Sequence, residues 1–178
     1  MFRNDRAEDL VQKQLDAFEQ NFAGIDMSYA RSRNLTPYDV VKIGSMIERE
    51  VQVPSERPLV SAVIYNRLAA DMPLQIDATI RFEDQNYDEP LLTSRLDEDT
   101  PYNTYTNAGL PPGPIGNPGL ASLEAAAQPA KVNYLYYVVK PGTCGEHVFT
   151  ASEAEFVDAK AEYDAAREAA GGQSPTEC

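Results

Sequence analysis

The chain is poor in the groups that usually announce a function. Its 178 residues contain one histidine, His147, and two cysteines, Cys144 and Cys178. A single imidazole excludes His-rich metal centres and any mechanism that needs two imidazoles. The cysteines are not spaced as metal ligands, so no metal is expected. Cys178 ends a "GGQSPTEC" stretch that reads as a disordered tail over 171–178, which makes a Cys144–Cys178 disulfide the less favoured expectation. Basic residues are scarce as well: 15 Lys and Arg stand against 28 Asp and Glu, for a net charge of −13. No basic patch or stripe exists to meet a polyanion, so nucleic acid is excluded as a partner. Neutral or cationic substrates stay open. No apolar run approaches the roughly 18 residues of a membrane span. Residues 1–20 are charged and lack the apolar core of a signal peptide, and there are no internal repeats.

What is present suits a soluble globular protein, 43% hydrophobic and 24% charged. One domain over 1–170 with a real core is expected. Apolar residues at 7, 10, 11, 15, 18 and 22 predict an amphipathic helix over 6–23. Thr36 as N-cap, Pro37 at N1 and Asp39 in the first turn predict a second helix from Pro37 to about Val51, ending before Pro54. A third helix is expected to start with Ser55 as its cap, its stripe formed by Leu59, Val60, Val63, Ile64 and Leu68. "LQIDATIRF" (74–82) is short and partly β-branched, which predicts a strand or an extended loop.

Residues 101–119, "PYNTYTNAGLPPGPIGNPG", hold five of the 13 prolines and four of the 10 glycines. No regular element tolerates that density, yet Tyr102, Tyr105, Leu110 and Ile115 argue for an ordered loop lining a groove. A short helix in "GLASLEAAAQPA", a strand in "YLYYVVK", a hairpin partner in "GEHVFT" and a last helix capped by Ser152 with Glu155 complete the pattern. Helices around a small antiparallel sheet make an α+β fold.

The second helix carries two acids around one arginine, Glu48-Arg49-Glu50. At about 100° per residue, Val40, Ile43, Met46, Ile47 and Val51 share one side. Glu50 projects from that stripe and Glu48 falls on its flank. Burial among Ile and Met raises a carboxyl pKa, as a general acid at neutral pH requires. By periodicity alone, the simpler account leaves Glu50 half exposed at the helix end, paired with Arg57 or Arg67.

Several strings occur together in order: "SMIEREVQVPSERPLVSAVIYNRLAADMPLQIDATI", then "PYNTYTNAGLPPGPIGNPGLASLEAAAQPAKVNYLYYVV" and "GEHVFT". They closely resemble the YceG-like family of MltG-type endolytic murein transglycosylases over residues 36–157. The family's catalytic acid is the second glutamate of the E-x-E, which the resemblance places at Glu50. It implies cleavage of the β-1,4 bond between N-acetylmuramic acid and N-acetylglucosamine in peptidoglycan glycan strands, with a 1,6-anhydro product and no cofactor. Terminating or trimming nascent strands would be its role. It further implies a monomer at the extracytoplasmic face of the plasma membrane in the cell envelope. The membrane would be reached through an N-terminal anchor that, like a LysM-like domain, lies outside this chain. Penicillin-binding proteins or other cell-wall synthases are possible partners.

Supporting residues are carried over from the matching strings. Gln75 and Asp77 would orient sugar hydroxyls or the acid. Tyr102, Asn103, Thr104 and Tyr105 would stack on sugars or bind N-acetyl groups, and Asn66 would anchor the helix or the groove floor. Structural roles stand beside these: a turn cap for Asp77, backbone support for Asn66, loop packing for Tyr102 and Tyr105. His147 reads as structural, and Glu48 as the rival acid. Two readings compete with the transglycosylase: a hydrolytic muramidase using Asp77 as second carboxylate, and a silent peptidoglycan-binding scaffold. Gly44 and Ala78 depart from the family's preferred Ala and Pro, and the "PGTCGEH" turn is longer.

Overall fold

Helix capping sets the frame. In the computed structural model, which describes residues 6–87 and 91–178, Thr36 Oγ1 accepts the Asp39 N–H at 3.2 Å. Asp39 Oδ2 in turn accepts the Thr36 N–H at 2.9 Å. This reciprocal cap starts α3 (Pro37–Glu50), and Val51 ends it by turning extended. Before it come the exposed α1 (Ala7–Phe22) and the short α2 (Ser28–Ser32). After it, Pro54–Glu56 forms a 3₁₀ turn that runs straight into α4 (Arg57–Ala69). Ser55 therefore does not cap α4, contrary to the sequence expectation; the proline-led turn supplies the entry instead.

The core lies between α3, α4 and α7 (Leu120–Ala127). Val40, Ile43, Met46 and Ile47 of α3 are fully buried against Val60 and Ile64 of α4 and Ala125, Ala126 and Ala127 of α7. Small residues let α3 and α7 approach closely. A Cβ placed on Gly44 would sit 3.2 Å from Leu123 and 3.3 Å from Pro118. The Pro/Gly-rich stretch 101–119 carries no helix or strand. It is ordered by buried contacts: Ser45 Oγ accepts the Ile115 N–H at 2.9 Å and donates to Lys42 O at 2.7 Å.

One sequence expectation changes character. Leu74, Gln75 and Ile76 form neither helix nor strand and alternate buried and exposed, but Asp77–Asp84 is a helix, α5. Short β-branched runs are ambiguous in sequence. Here Thr79 tips the balance: its Oγ1 donates to Ile76 O at 2.7 Å and meets Thr104 Oγ1 at 3.1 Å, closing the first turn. Helix α6 (Thr93–Leu96) is a single turn.

Strands β1 (Tyr136–Val139) and β2 (His147–Thr150) pair antiparallel, with Tyr137 opposite Phe149 and Val139 opposite His147. Helix α8 (Glu153–Ala169) starts at Ser152, whose side chain accepts the Glu155 N–H, and packs on β1 through a Tyr136–Phe156 stack at 5.0 Å. The α+β architecture is therefore as expected.

The last eight residues are not. By packing on the sheet, α8 returns the chain to the hairpin turn. There Gly142 N–H donates to Pro175 O at 3.0 Å and Glu177 N–H to Thr143 O at 2.9 Å. Cys144 and Cys178 are joined by a disulfide across 34 residues. Both the expected disordered tail and the disfavoured disulfide are thus corrected. Chain-entropy arguments put such a bridge at about 2–4 kcal/mol. Cys178→Ser is expected to lower the melting temperature by several degrees, and dithiothreitol to lower that of the parent protein equally while leaving the variant unchanged.

Candidate active site

Helical phase places Glu50 at the end of the apolar stripe of α3, where the chain turns away and two other elements, β1 and α5, meet the carboxyl group. From β1, the Tyr137 hydroxyl donates to Glu50 Oε2 at 2.9 Å. From the first turn of α5, the Ala78 N–H donates to the same carboxyl. Asp77, the residue before it, brings a second acid close by. Burial pushes the Glu50 pKa up to about 7, and the charge of Asp77 adds to the rise. The Tyr137 and Ala78 donors and the positive charge of Arg81 hold it down. Glu50 is half-buried, and neither Arg57 nor Arg67 pairs with it, so the ion pair is not what forms. Arg57 donates to Ser122 Oγ at 3.2 Å.

Glu48 sits in the opposite electrostatic setting. It is exposed on the flank and accepts the Ser122 hydroxyl at 2.6 Å and the Gly119 N–H at 3.0 Å. The Ser122 bond chiefly holds its pKa below the ordinary range. Glu48 is thereby an ionised anchor for the N-terminus of α7, where negative charge is favoured. Two residues apart, one acid keeps its proton near neutrality and the other does not.

The remaining sequence candidates separate into two groups. Asp77 is exposed and accepts the Tyr105 hydroxyl at 2.5 Å. Burial and the charge of Asp77 raise the Tyr105 pKa well above its ordinary value, so Tyr105 stays a donor. Gln75 is exposed in a left-handed conformation (φ 53°), its Oε1 held by Arg67 Nη1 at 3.0 Å. Glu50, Asp77, Tyr105 and Gln75 thus line one region.

Asn103 and Thr104 are instead buried, with polar atoms committed inside the protein. The Asn103 amide donates to Arg95 O, Leu96 O and Glu98 O, and Thr104 Oγ1 accepts the Ile76 N–H at 2.9 Å. Tyr102 packs on Phe82 of α5 with ring centroids 5.0 Å apart. Asn66 faces elsewhere, donating to Val132 O at 3.0 Å and Tyr134 O at 2.8 Å.

Three contributors escaped sequence reading. Tyr137 alternates with Tyr136 along β1, and only the sheet's packing decides which of them meets Glu50. Arg67 is buried and spends its guanidinium on Leu135 O, Pro73 O, Leu74 O and Gln75. It also lies over the Tyr136 ring at 5.3 Å. Glu56 accepts both the His147 N–H (2.9 Å) and His147 Nδ1 (2.7 Å), and the imidazole packs edge-on to Tyr137 at 5.3 Å. This matches the structural reading of His147. Among the described residues, no three His, Cys, Asp or Glu side chains group as metal ligands would.

The balance of donors and charges gives opposite signs for two substitutions. Tyr137→Phe is expected to raise the Glu50 pKa further and Asp77→Asn to lower it toward the ordinary range, as read by carboxyl carbon NMR titration. Folding stability carries the same signature. A carboxyl whose pKa rises from 4.5 to about 7 on folding favours the folded state below pH 4.5 and progressively loses that contribution as pH rises to 7. At 1.36 kcal/mol per pKa unit, the loss reaches up to about 3 kcal/mol. Glu50→Gln is therefore expected to raise thermal stability relative to the parent protein at pH 8 and not at pH 4.

Comparison with known proteins places this chain in a family. A family model described as "YceG-like family" matches residues 1–162. An endolytic murein transglycosylase of Bacillus subtilis is 36% identical over 159 residues, covering 88% of this chain and 42% of the relative. One of Streptococcus pneumoniae is 33% identical over 136 residues, covering 74% of this chain and 24% of the relative. A crystal structure of a YceG-like protein from Listeria monocytogenes superposes with a TM-score of 0.77 at 32% identity, covering 89% of this chain and 50% of that one. The chain thus spans less than half the length of these curated relatives and half of the solved structure. On this coverage and identity, the chain belongs to the YceG-like family.

Proposed function

We propose that this domain is an endolytic lytic transglycosylase acting on peptidoglycan glycan strands, with Glu50 as its acid and then its base. The observation that carries the reading is the Glu50 carboxyl, desolvated among the elements that surround it and holding its proton to about pH 7. Two relatives named endolytic murein transglycosylase support the substrate class.

Glu50 donates its proton to the glycosidic oxygen as the bond from that oxygen to the anomeric carbon of N-acetylmuramic acid breaks. The exocyclic 6-hydroxyl of the same muramyl sugar attacks that carbon, and its proton passes to the Glu50 carboxylate. The acid is thereby regenerated, a 1,6-anhydro end forms, and no water is consumed. A single carboxyl suffices because no water has to be activated, unlike the two-carboxylate glycosidases. In this reading Asp77 and the Tyr105 hydroxyl it accepts orient sugar hydroxyls, and the Asp77 charge favours the oxocarbenium-like centre. Glu48, ionised on the α7 N-terminus, has no proton to give. The Cys144–Cys178 disulfide supports an oxidising, extracytoplasmic location in the cell envelope. No helix among the described residues is long and apolar enough to cross a membrane.

Asp77 near Glu50 also gives hydrolysis a second carboxylate, which makes product analysis decisive. Digestion of uncrosslinked glycan strands in ¹⁸O-water is expected to yield anhydro ends without label, whereas labelled reducing ends would establish hydrolysis. Glu50→Gln is expected to lower turnover at least about 100-fold, the scale of general acid catalysis, with Glu48→Gln near parent activity. Turnover should fall as pH rises through about 7, where Glu50 loses its proton.

A further inference from the structure

A second concave site lies on the other side of α4 from Arg67. It is a cavity of about 630 Å³ between α2, α4 and the extended segment 130–134. That volume lies within the range of ligand pockets, about 300–1,000 Å³. Its lining departs from the rest of the molecule in charge. The chain carries −13 overall, yet the charged side chains here are two cations, Arg33 and Lys131, with no acid among the lining residues. Asp39, whose charge acts on Tyr65 of this lining, is tied to Thr36 and lies 3.3 Å from Lys42. Arg33 is held at the rim, donating to the Tyr29 hydroxyl at 3.3 Å with its guanidinium 5.3 Å from that ring. Tyr29, Tyr65 and Tyr134 supply aromatic walls.

The floor is also unusual. Asn66 pins Val132 O and Tyr134 O, holding 131–134 extended. Among the described residues, none of the N–H groups of Lys131, Val132, Asn133 or Tyr134 finds an acceptor. An extended chain with open donors, two cations and aromatic walls suits a carboxylate-bearing peptide, whose carbonyls can accept from the segment. The segment then runs on into β1. Tyr134 at the cavity and Tyr137 at Glu50 are three extended residues apart, about 10 Å. That is the reach of about three residues of extended peptide.

From this placement we infer that the cavity binds the acidic peptide stem that branches from the glycan strand held at Glu50. The inference rests on the peptidoglycan reading above and gives that substrate a second point of attachment. Arg33 and Lys131 bind the stem carboxylates, and the 131–134 amides pair with its backbone.

The probe is N-acetyl-L-Ala-γ-D-Glu-meso-diaminopimelic acid, titrated into the ¹⁵N-labelled protein. The amides of 131–134 and Tyr29 are expected to shift, and Arg33→Gln with Lys131→Gln to weaken binding about ten-fold or more, the scale of about 1.4 kcal/mol. Both residues are exposed, so the double variant keeps the fold. In digestions it should lose any preference for peptide-bearing over peptide-free strands while cleaving the latter at the parent rate. Absent binding, shifts confined to other residues, or equal affinity in the double variant would each overturn the inference. So would peptide-free strands shifting the 131–134 amides more strongly than the peptide does. Glu50→Gln should bind the probe as the parent does. A parent protein that binds the probe here yet cleaves no strand would sink the catalytic reading alone.

Discussion

Everything about this site turns on the difficulty of keeping a carboxylate out of water. Glu50 ends a helix whose apolar side is committed to the core, so its side chain emerges where hydration is poor. The surroundings offer it two donors, the Tyr137 hydroxyl and the Ala78 N–H, and one repelling neighbour in Asp77. The donors stabilise the ionised form, while burial and the neighbouring charge oppose it. Burial wins, though not completely. Without its donors the carboxyl would have a still higher pKa, and without Asp77 a lower one.

The elements that build this balance come from distant parts of the chain. Tyr137 lies 87 residues beyond Glu50, on a two-stranded sheet braced by α8 on one face and by the His147–Glu56 pair on the other. Asp77 and Ala78 open a helix whose first turn is locked by Thr79 and Thr104. Arg67 ties the two together, gathering carbonyls from both the approach to α5 and the approach to β1. Buried side chains whose polar atoms are committed inside the protein, such as Asn103 and Thr104, therefore still set the geometry around the acid.

Sequence reading went furthest where a local rule decides the outcome. The Thr36–Asp39 cap, the Ser152 cap, the phase that separates Glu50 from Glu48 and the irregular Pro/Gly-rich loop all follow from residues within a few positions of one another. It fell short where partners are remote. The helix at 77–84 depends on Thr104, the disulfide depends on α8 bringing residue 178 back to the hairpin, and Tyr137 cannot be told from Tyr136 until the sheet docks. Strings shared with a family compensated for Asp77 and Tyr105, which do gather near Glu50. They could not reveal that Asn103 and Thr104 spend their polar atoms inside the protein, or that Asn66 faces a different cavity.

The reach of the Tyr137 contact has a consequence for the history of each molecule. An unfolded or half-assembled chain presents Glu50 to water, and there it is an ordinary acid with its proton gone at neutral pH. Only when the hairpin has settled over the end of α3 does the proton become available at that position. The capacity to keep a proton near neutral pH is in this sense acquired late, as a property of the finished tertiary structure.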